Sequence, residues 1–162
     1  MKKNKLLEIK ESVIDGKGVW TLNKIKKDER VFKFSNKIIF INHKSGCNCK
    51  ICCRCINLKN NLWLYSDKDS YGWNLNHSCK PNHYSKGKYV YAFKKINPNT
   101  EITIDYSTTN VDRKWKMTCH RKSKNCRMVI RSVQYLPKRL FKKYENYMQP
   151  FIKDNYNYSK KV

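Results

Sequence analysis

The sequence predicts a mainly β fold with short helices, and three observations carry that prediction. Short β-rich runs bounded by polar turn residues recur through the first hundred residues, Glu101 to Tyr106 alternates strictly, and helical spacing begins only beyond Val133. The length of 162 residues fits one domain with a small appendage and leaves no room for two catalytic lobes. With 40% hydrophobic and 13% aromatic residues the chain can bury a core, so wholesale disorder is excluded.

Leu6-Leu7-Glu8-Ile9 reads as the first strand. The turn Asp15-Gly16-Lys17-Gly18 comes next, where glycines permit positive φ and close backbone approach. Val31-Phe32-Lys33-Phe34 is a second strand, and Ile38-Ile39-Phe40-Ile41 has the apolar continuity of a buried one. Tyr89 to Phe93 and Glu101 to Tyr106 form two more, separated by Asn97-Pro98-Asn99. In the latter, Ile102 and Ile104 share one face while Tyr106 sits at the exit. Leu136, Leu140, Phe141, Tyr144 and Met148 then recur at helical spacing, with Pro137 suited to a first turn and Pro150 to an end. They predict an amphipathic helix docked on the sheet within residues 131–155.

Thirty-six Lys and Arg against 12 Asp and Glu leave a formal charge of +24. Such a field attracts polyanions without reading their sequence, but a Lys-rich solvated coat would have the same composition. Lys5, Glu8 and Lys10 interrupt the apolar residues near the amino terminus, so no signal-peptide core is present and an intracellular location is expected. The eight cysteines are then expected as thiols or metal ligands rather than bridges. No stretch approaches the roughly 20 apolar residues that span a bilayer, which excludes a transmembrane role.

Four separated pieces belong together: Gly16-Lys17-Gly18-Val19-Trp20, Asn76-His77-Ser78-Cys79-Lys80-Pro81-Asn82, Glu101 to Tyr106, and the tail bearing Cys119 and Cys126. Their order and spacing resemble the SET-domain protein lysine methyltransferases, the NHSCKPN heptapeptide being the most specific part. The resemblance implies a β-clip fold with a pseudoknot, threaded at Pro81 and Asn82. It divides the chain into a SET domain at 6–107 with a Cys-rich insert at 43–60, a post-SET-like segment at 108–130, and the helical extension.

The implied reaction moves a methyl group from S-adenosylmethionine to a lysine amine. At pH 7 the neutral amine of a free lysine lies about 4.6 kcal/mol uphill. A neighbouring sulfonium and poor solvation both lower that ammonium's pKa, so a dedicated strong base is not required. Orientation supplies much of the remaining acceleration.

By the same resemblance, Tyr106 stands at the transfer point. Asn76 and His77 match the cofactor-contacting pair, and Lys17, Gly18 and Trp20 fall in the loop that meets the cofactor. Many family members carry Phe or Tyr two residues before the catalytic tyrosine, where this chain has Ile104. Lacking a hydroxyl and shaping the lysine channel differently, Ile104 is expected to relax a limit to monomethylation.

The family's post-SET zinc is bound by the NHSC cysteine and three tail cysteines. Here Cys79, Cys119 and Cys126 match, and Arg121 replaces the middle tail cysteine. Zinc takes four ligands, so either His120 completes a Cys3His site or the tail packs without metal. Cys47, Cys49, Cys52 and Cys55, with Cys53 spare, have the spacing of a second zinc knuckle or of a reduced Cys-rich loop. Lys50, Arg54 and Lys59 around it could face nucleic acid or a nucleosome.

The resemblance implies a histone tail as substrate, and because a +24 enzyme repels a bare basic tail, a ribosomal or other nucleic-acid-associated protein competes with it. The competing expectation is a non-catalytic, zinc-stabilised nucleic-acid-binding protein on a SET scaffold.

Overall fold

The computed structural model describes residues 6–34, 37–40, 55–59, 61–121 and 123–160. Small sheets, rather than one large sheet, carry the molecule. β1 (Leu7–Glu11) and β2 (Lys17–Thr21) form a hairpin, closed where Ser12 N donates to Gly16 O at 2.8 Å. Gly16 takes φ +48°, a conformation that costs a side-chain-bearing residue and that glycine adopts freely. Gly18, expected in the turn, is already in β2.

Next along the chain are β3 (Arg30–Lys33), β4 (Ile38–Phe40), β5 (Ile56–Lys59) and β6 (Leu62–Leu64). β7 (Asn76–His77) lies within the NHSCKPN segment. β8 (His83–Lys86), β9 (Tyr89–Ala92) and β10 (Glu101–Ile104) lead to the short hairpin of β11 (Lys116–Thr118) and β12 (Val129–Arg131). One sheet has the order β1-β2-β10-β7, a second β3-β9-β8 and a third β4-β6-β5.

β10 pairs antiparallel with β2 and parallel with β7, Thr103 facing Asn76 and Ile104 facing His77. This central position brings segments far apart in sequence to one place. Asn82 locks the arrangement: its side chain donates to Glu101 O at 2.8 Å and accepts from Thr103 N at 2.8 Å. Leu7, Val19, Val90, Ile102 and Ile104 join the main core beneath the sheets.

The carboxyl-terminal segment departs from the single helix expected. α1 (Lys138–Tyr144) passes into a 3-10 turn at Glu145–Tyr147, and α2 (Pro150–Tyr158) starts afresh. Pro150 therefore opens a helix instead of ending one, since at the first helical position its missing N–H costs nothing. Phe141 and Tyr156 stack at 3.7 Å between the two helices, and Leu136, Tyr144, Met148 and Ile152 complete a second core. The expected apolar stripe is thus buried, but by two helices folded on each other.

Candidate active site

Asn76 is held by the loop that precedes β2. Its amide nitrogen lies 2.9 Å from Glu101 Oε1, 3.1 Å from Ser12 Oγ and 3.1 Å from the Lys17 carbonyl. Ser12 Oγ donates to the same Glu101 oxygen at 2.8 Å. A Cβ at position 18 would collide with that carboxylate, so Gly18 is required by Glu101 packed against its backbone. Sequence reasoning gives Ser12 and Glu101 no role in the site, because an isolated Ser and a strand Glu carry no motif of their own.

This framework borders a cavity of about 260 Å³. Ile14, Asp15, Asn76, His77 and Tyr106 line one side, and Met117, Thr118 and His120 the other. Of the residues expected at the cofactor, Asn76, His77 and Tyr106 meet here. Lys17, Gly18 and Trp20 are not among the lining residues. Lys17 contributes its carbonyl to Asn76, Gly18 faces Glu101, and the Trp20 indole lies 4.7 Å beneath the Lys10 ammonium. The expectation for these three concerns their backbone groups, which β2 carries along the hairpin.

A narrower channel of about 20 Å³ approaches from elsewhere, lined by Phe34, Cys55, Ile56, Leu75, Ile104 and Trp115. Tyr106 lines it as well, so one aromatic side chain separates the two openings. The Tyr106 hydroxyl donates to Leu75 O at 2.5 Å. Its hydrogen is thereby committed, and its oxygen keeps lone pairs for a cationic neighbour. Ile104 is buried and lines the same channel.

Behind the phenol lies a buried polar cluster. Tyr106 N donates to His77 Nδ1 at 3.3 Å, and the two rings meet edge to face with centroids 5.4 Å apart. The other His77 ring nitrogen, Nε2, lies 3.5 Å from Cys79 Sγ. Asp105 Oδ1 accepts from Ser107 N at 3.0 Å and from Arg127 Nη2 at 2.7 Å. Arg127 also donates to Ser107 Oγ at 3.0 Å. Nothing in the sequence singles out Arg127, since one basic residue among 36 has no signal before the tail is folded.

The expected thiols converge in part. Cys79 Sγ and Cys119 Sγ lie 3.9 Å apart, and Cys126 packs against the same cluster with Trp115 and Ile130. Burial pushes the Cys79 thiol up, yet hydrogen bonds from His77 and Arg127 and the guanidinium charge outweigh it and lower the pKa. Burial and the neighbouring Cys126 and Cys79 push Cys119 up to about 12. The surroundings therefore favour the charged form at Cys79 more than at Cys119.

Two sulfurs bound to one zinc at about 2.3 Å each stand a little under 4 Å apart, which the Cys79 to Cys119 separation fits. His77, Cys79 and Cys119 place their ligand atoms within 4.8 Å of one another. His120, the expected fourth ligand, is exposed instead, with Nδ1 3.8 Å from Asp15 Oδ1 across the 260 Å³ cavity. Of the expected second knuckle, Cys47, Cys49 and Cys52 lie outside the described residues, while Cys55 is buried in the channel wall.

Residues 16–107, from the glycine turn through the strand exit, match the SET domain family. The chain belongs to the SET-domain family. Its mostly β architecture with carboxyl-terminal helices is the SET fold in observed form. Among solved structures it resembles a Plasmodium falciparum protein, PFL0690c, provisionally named a histone methyltransferase, at 26% identity and a TM-score of 0.52. The match covers 64% of this chain and 95% of that one. It also shares its fold with KRYPTONITE, solved with mCHH DNA, an H3(1-15) peptide and SAH, at 18% identity and a TM-score of 0.57. There the match covers 76% of this chain and 29% of that one. No curated sequence resembles the chain closely enough to count as a match.

Proposed function

We propose that this SET domain is an S-adenosylmethionine-dependent protein-lysine N-methyltransferase with Tyr106 at the transfer point. The carrying observation is that Tyr106 lines both the 260 Å³ cavity and the narrow channel. When bound in the cavity, S-adenosylmethionine supplies an electrophilic methyl group on a sulfonium. Asn76 and the His77 backbone offer polar contacts at the cavity wall, and His120 and Asp15 stand across from them. Phe34, Ile104 and Trp115 exclude water from the channel, which disfavours a charged amine there. The Tyr106 oxygen, its hydrogen given to Leu75, orients whatever cation approaches.

Zinc, where present, would be held by the thiols of Cys79, Cys119 and Cys126. Their role is to fasten the tail behind the active tyrosine. The protein substrate is a histone or another basic, nucleic-acid-associated protein, a reading supported by the SET family and the name given to PFL0690c. Its setting is intracellular.

Labelled S-adenosylmethionine offered with histones, ribosomes and host lysate in parallel should mark one band. Tyr106→Phe should reduce transfer about hundredfold or more while calorimetric binding of the donor persists. Full activity in that variant would remove the proposal. Donor binding absent from the wild-type chain would favour a scaffold that binds nucleic acid without catalysis.

A further inference from the structure

A groove of about 690 Å³ runs along the outer side of the NHSCKPN segment, apart from both openings at Tyr106. Lys80, Lys94, Lys95, Arg121 and Lys143 border it, and all five are exposed. None of the described residues that line it is acidic. Nor does any of these five cations take part in an ion pair among the described residues, whereas Lys10, Lys142 and Arg127 do. Their charge is therefore left to attract something from outside.

The floor and far wall have a different character. Phe93 meets Tyr147 edge on at 4.8 Å and Tyr144 at 5.4 Å, and Tyr147 also leans on Tyr84 at 4.7 Å. Phe93 and Tyr147 remain partly exposed in the groove. Pro81, Asn82 and Thr103 form a rigid base, because Asn82 is fastened to β10 by its two hydrogen bonds. Cationic edges over an aromatic wall form the arrangement in which a sugar-phosphate backbone tracks the charges and bases rest on rings. A convex duplex would touch only the rim.

We infer that this groove binds single-stranded nucleic acid without sequence preference, through Lys80, Lys94, Lys95, Arg121 and Lys143 against the Phe93 and Tyr147 rings. An acidic peptide would satisfy the cations but would leave the rings unused. The site does not depend on methyl transfer, since it shares no residue with the two openings at Tyr106.

The test is fluorescence anisotropy of the full chain with a labelled oligo-dT strand, across a range of salt. Lys94→Glu, Lys95→Glu and Lys143→Glu together are compared with Lys68→Glu, Lys114→Glu and Lys160→Glu, which change the net charge equally outside the groove. The groove variant should bind at least tenfold more weakly than the control, and its slope of log affinity against log salt should shrink by about 2, from about 0.7 per phosphate contact. Circular dichroism should show both variants folded. Equal losses in the two variants would overturn the assignment in favour of a diffuse field. Tighter binding of a matched duplex or of poly-glutamate would overturn the choice of ligand.

Discussion

At the residue scale, Arg127 and His83 show how buried polar groups constrain this molecule. Arg127 neutralises an almost fully buried Asp105, and removing one partner of such a pair leaves an uncompensated charge. Arg127→Leu should therefore lower stability by about 3 kcal/mol, read from urea denaturation. Adding Asp105→Asn should recover part of that loss if the pairing is the cause. His83 is wholly buried, its Nδ1 2.6 Å from Asn82 Oδ1, and burial pushes its pKa down to about 3. The unfolded chain protonates this residue near 6.5, so between about 6.5 and 3 the unfolded state binds a proton the native state refuses. Stability is complete above that window and declines as pH falls through it, by up to about 1.4 kcal/mol per pH unit. Denaturation midpoints at pH 7.5 and 5 should converge in His83→Gln relative to wild type. Ile104 belongs to this scale too. Long incubations should yield products beyond monomethyl lysine by mass spectrometry, and Ile104→Tyr should shift them toward monomethyl.

At the scale of elements, the glycine loop, β2 and β10 work as one unit. Gly18→Ala should force the Glu101 carboxylate away from Ser12 and Asn76 and cost about 2 kcal/mol in thermal unfolding, for two disrupted buried hydrogen bonds. This unit also marks how far the sequence can be read. The strands at Leu7, Arg30, Tyr89 and Glu101 are legible because β-branched and aromatic runs between turns report pleated surface directly, whereas β4 forms as expected but is not the buried strand its apolar run suggests, since it leaves Ile38 and Phe40 exposed. The expected strand runs through Tyr106, but β10 ends at Ile104 and Tyr106 opens a 3-10 turn, capped where the Asp105 side chain accepts from Ser107 N. The start of β2 is not legible, because two glycines read as a turn, yet the hairpin closes at Gly16 and Gly18 already lies in the strand. Pro150 is ambiguous because the same residue suits both the first turn of a helix and the stretch just past its last one, and only the stacking of Phe141 on Tyr156 decides between them. His120 escapes for a similar reason: adjacency to Cys119 in sequence says nothing about which way a turn sends the ring.

At the scale of the whole molecule, the carboxyl-terminal third braces the exit of β10 from behind. The tail reaches it through Arg127 on Asp105 and through Ser107, whose hydroxyl donates to Arg131 O at 2.6 Å. The thiols sit in the same junction, so metal content reports on its assembly. Atomic spectroscopy of the purified chain should find zinc, and Cys119→Ser should release zinc bound in the tail and lower the melting temperature. Unchanged zinc in that variant would place the metal elsewhere. The charge of +24 can be counted from composition, but its concentration along one groove cannot, because Lys80, Lys94, Arg121 and Lys143 become neighbours only after folding.

Asp105 is bound to one guanidinium, 22 positions downstream. Neither can be replaced freely while the other stays. Descendants of this gene that lose the arginine should be found to have traded away the acid as well, so paired drift at these two positions would be the historical trace of a single ionic knot.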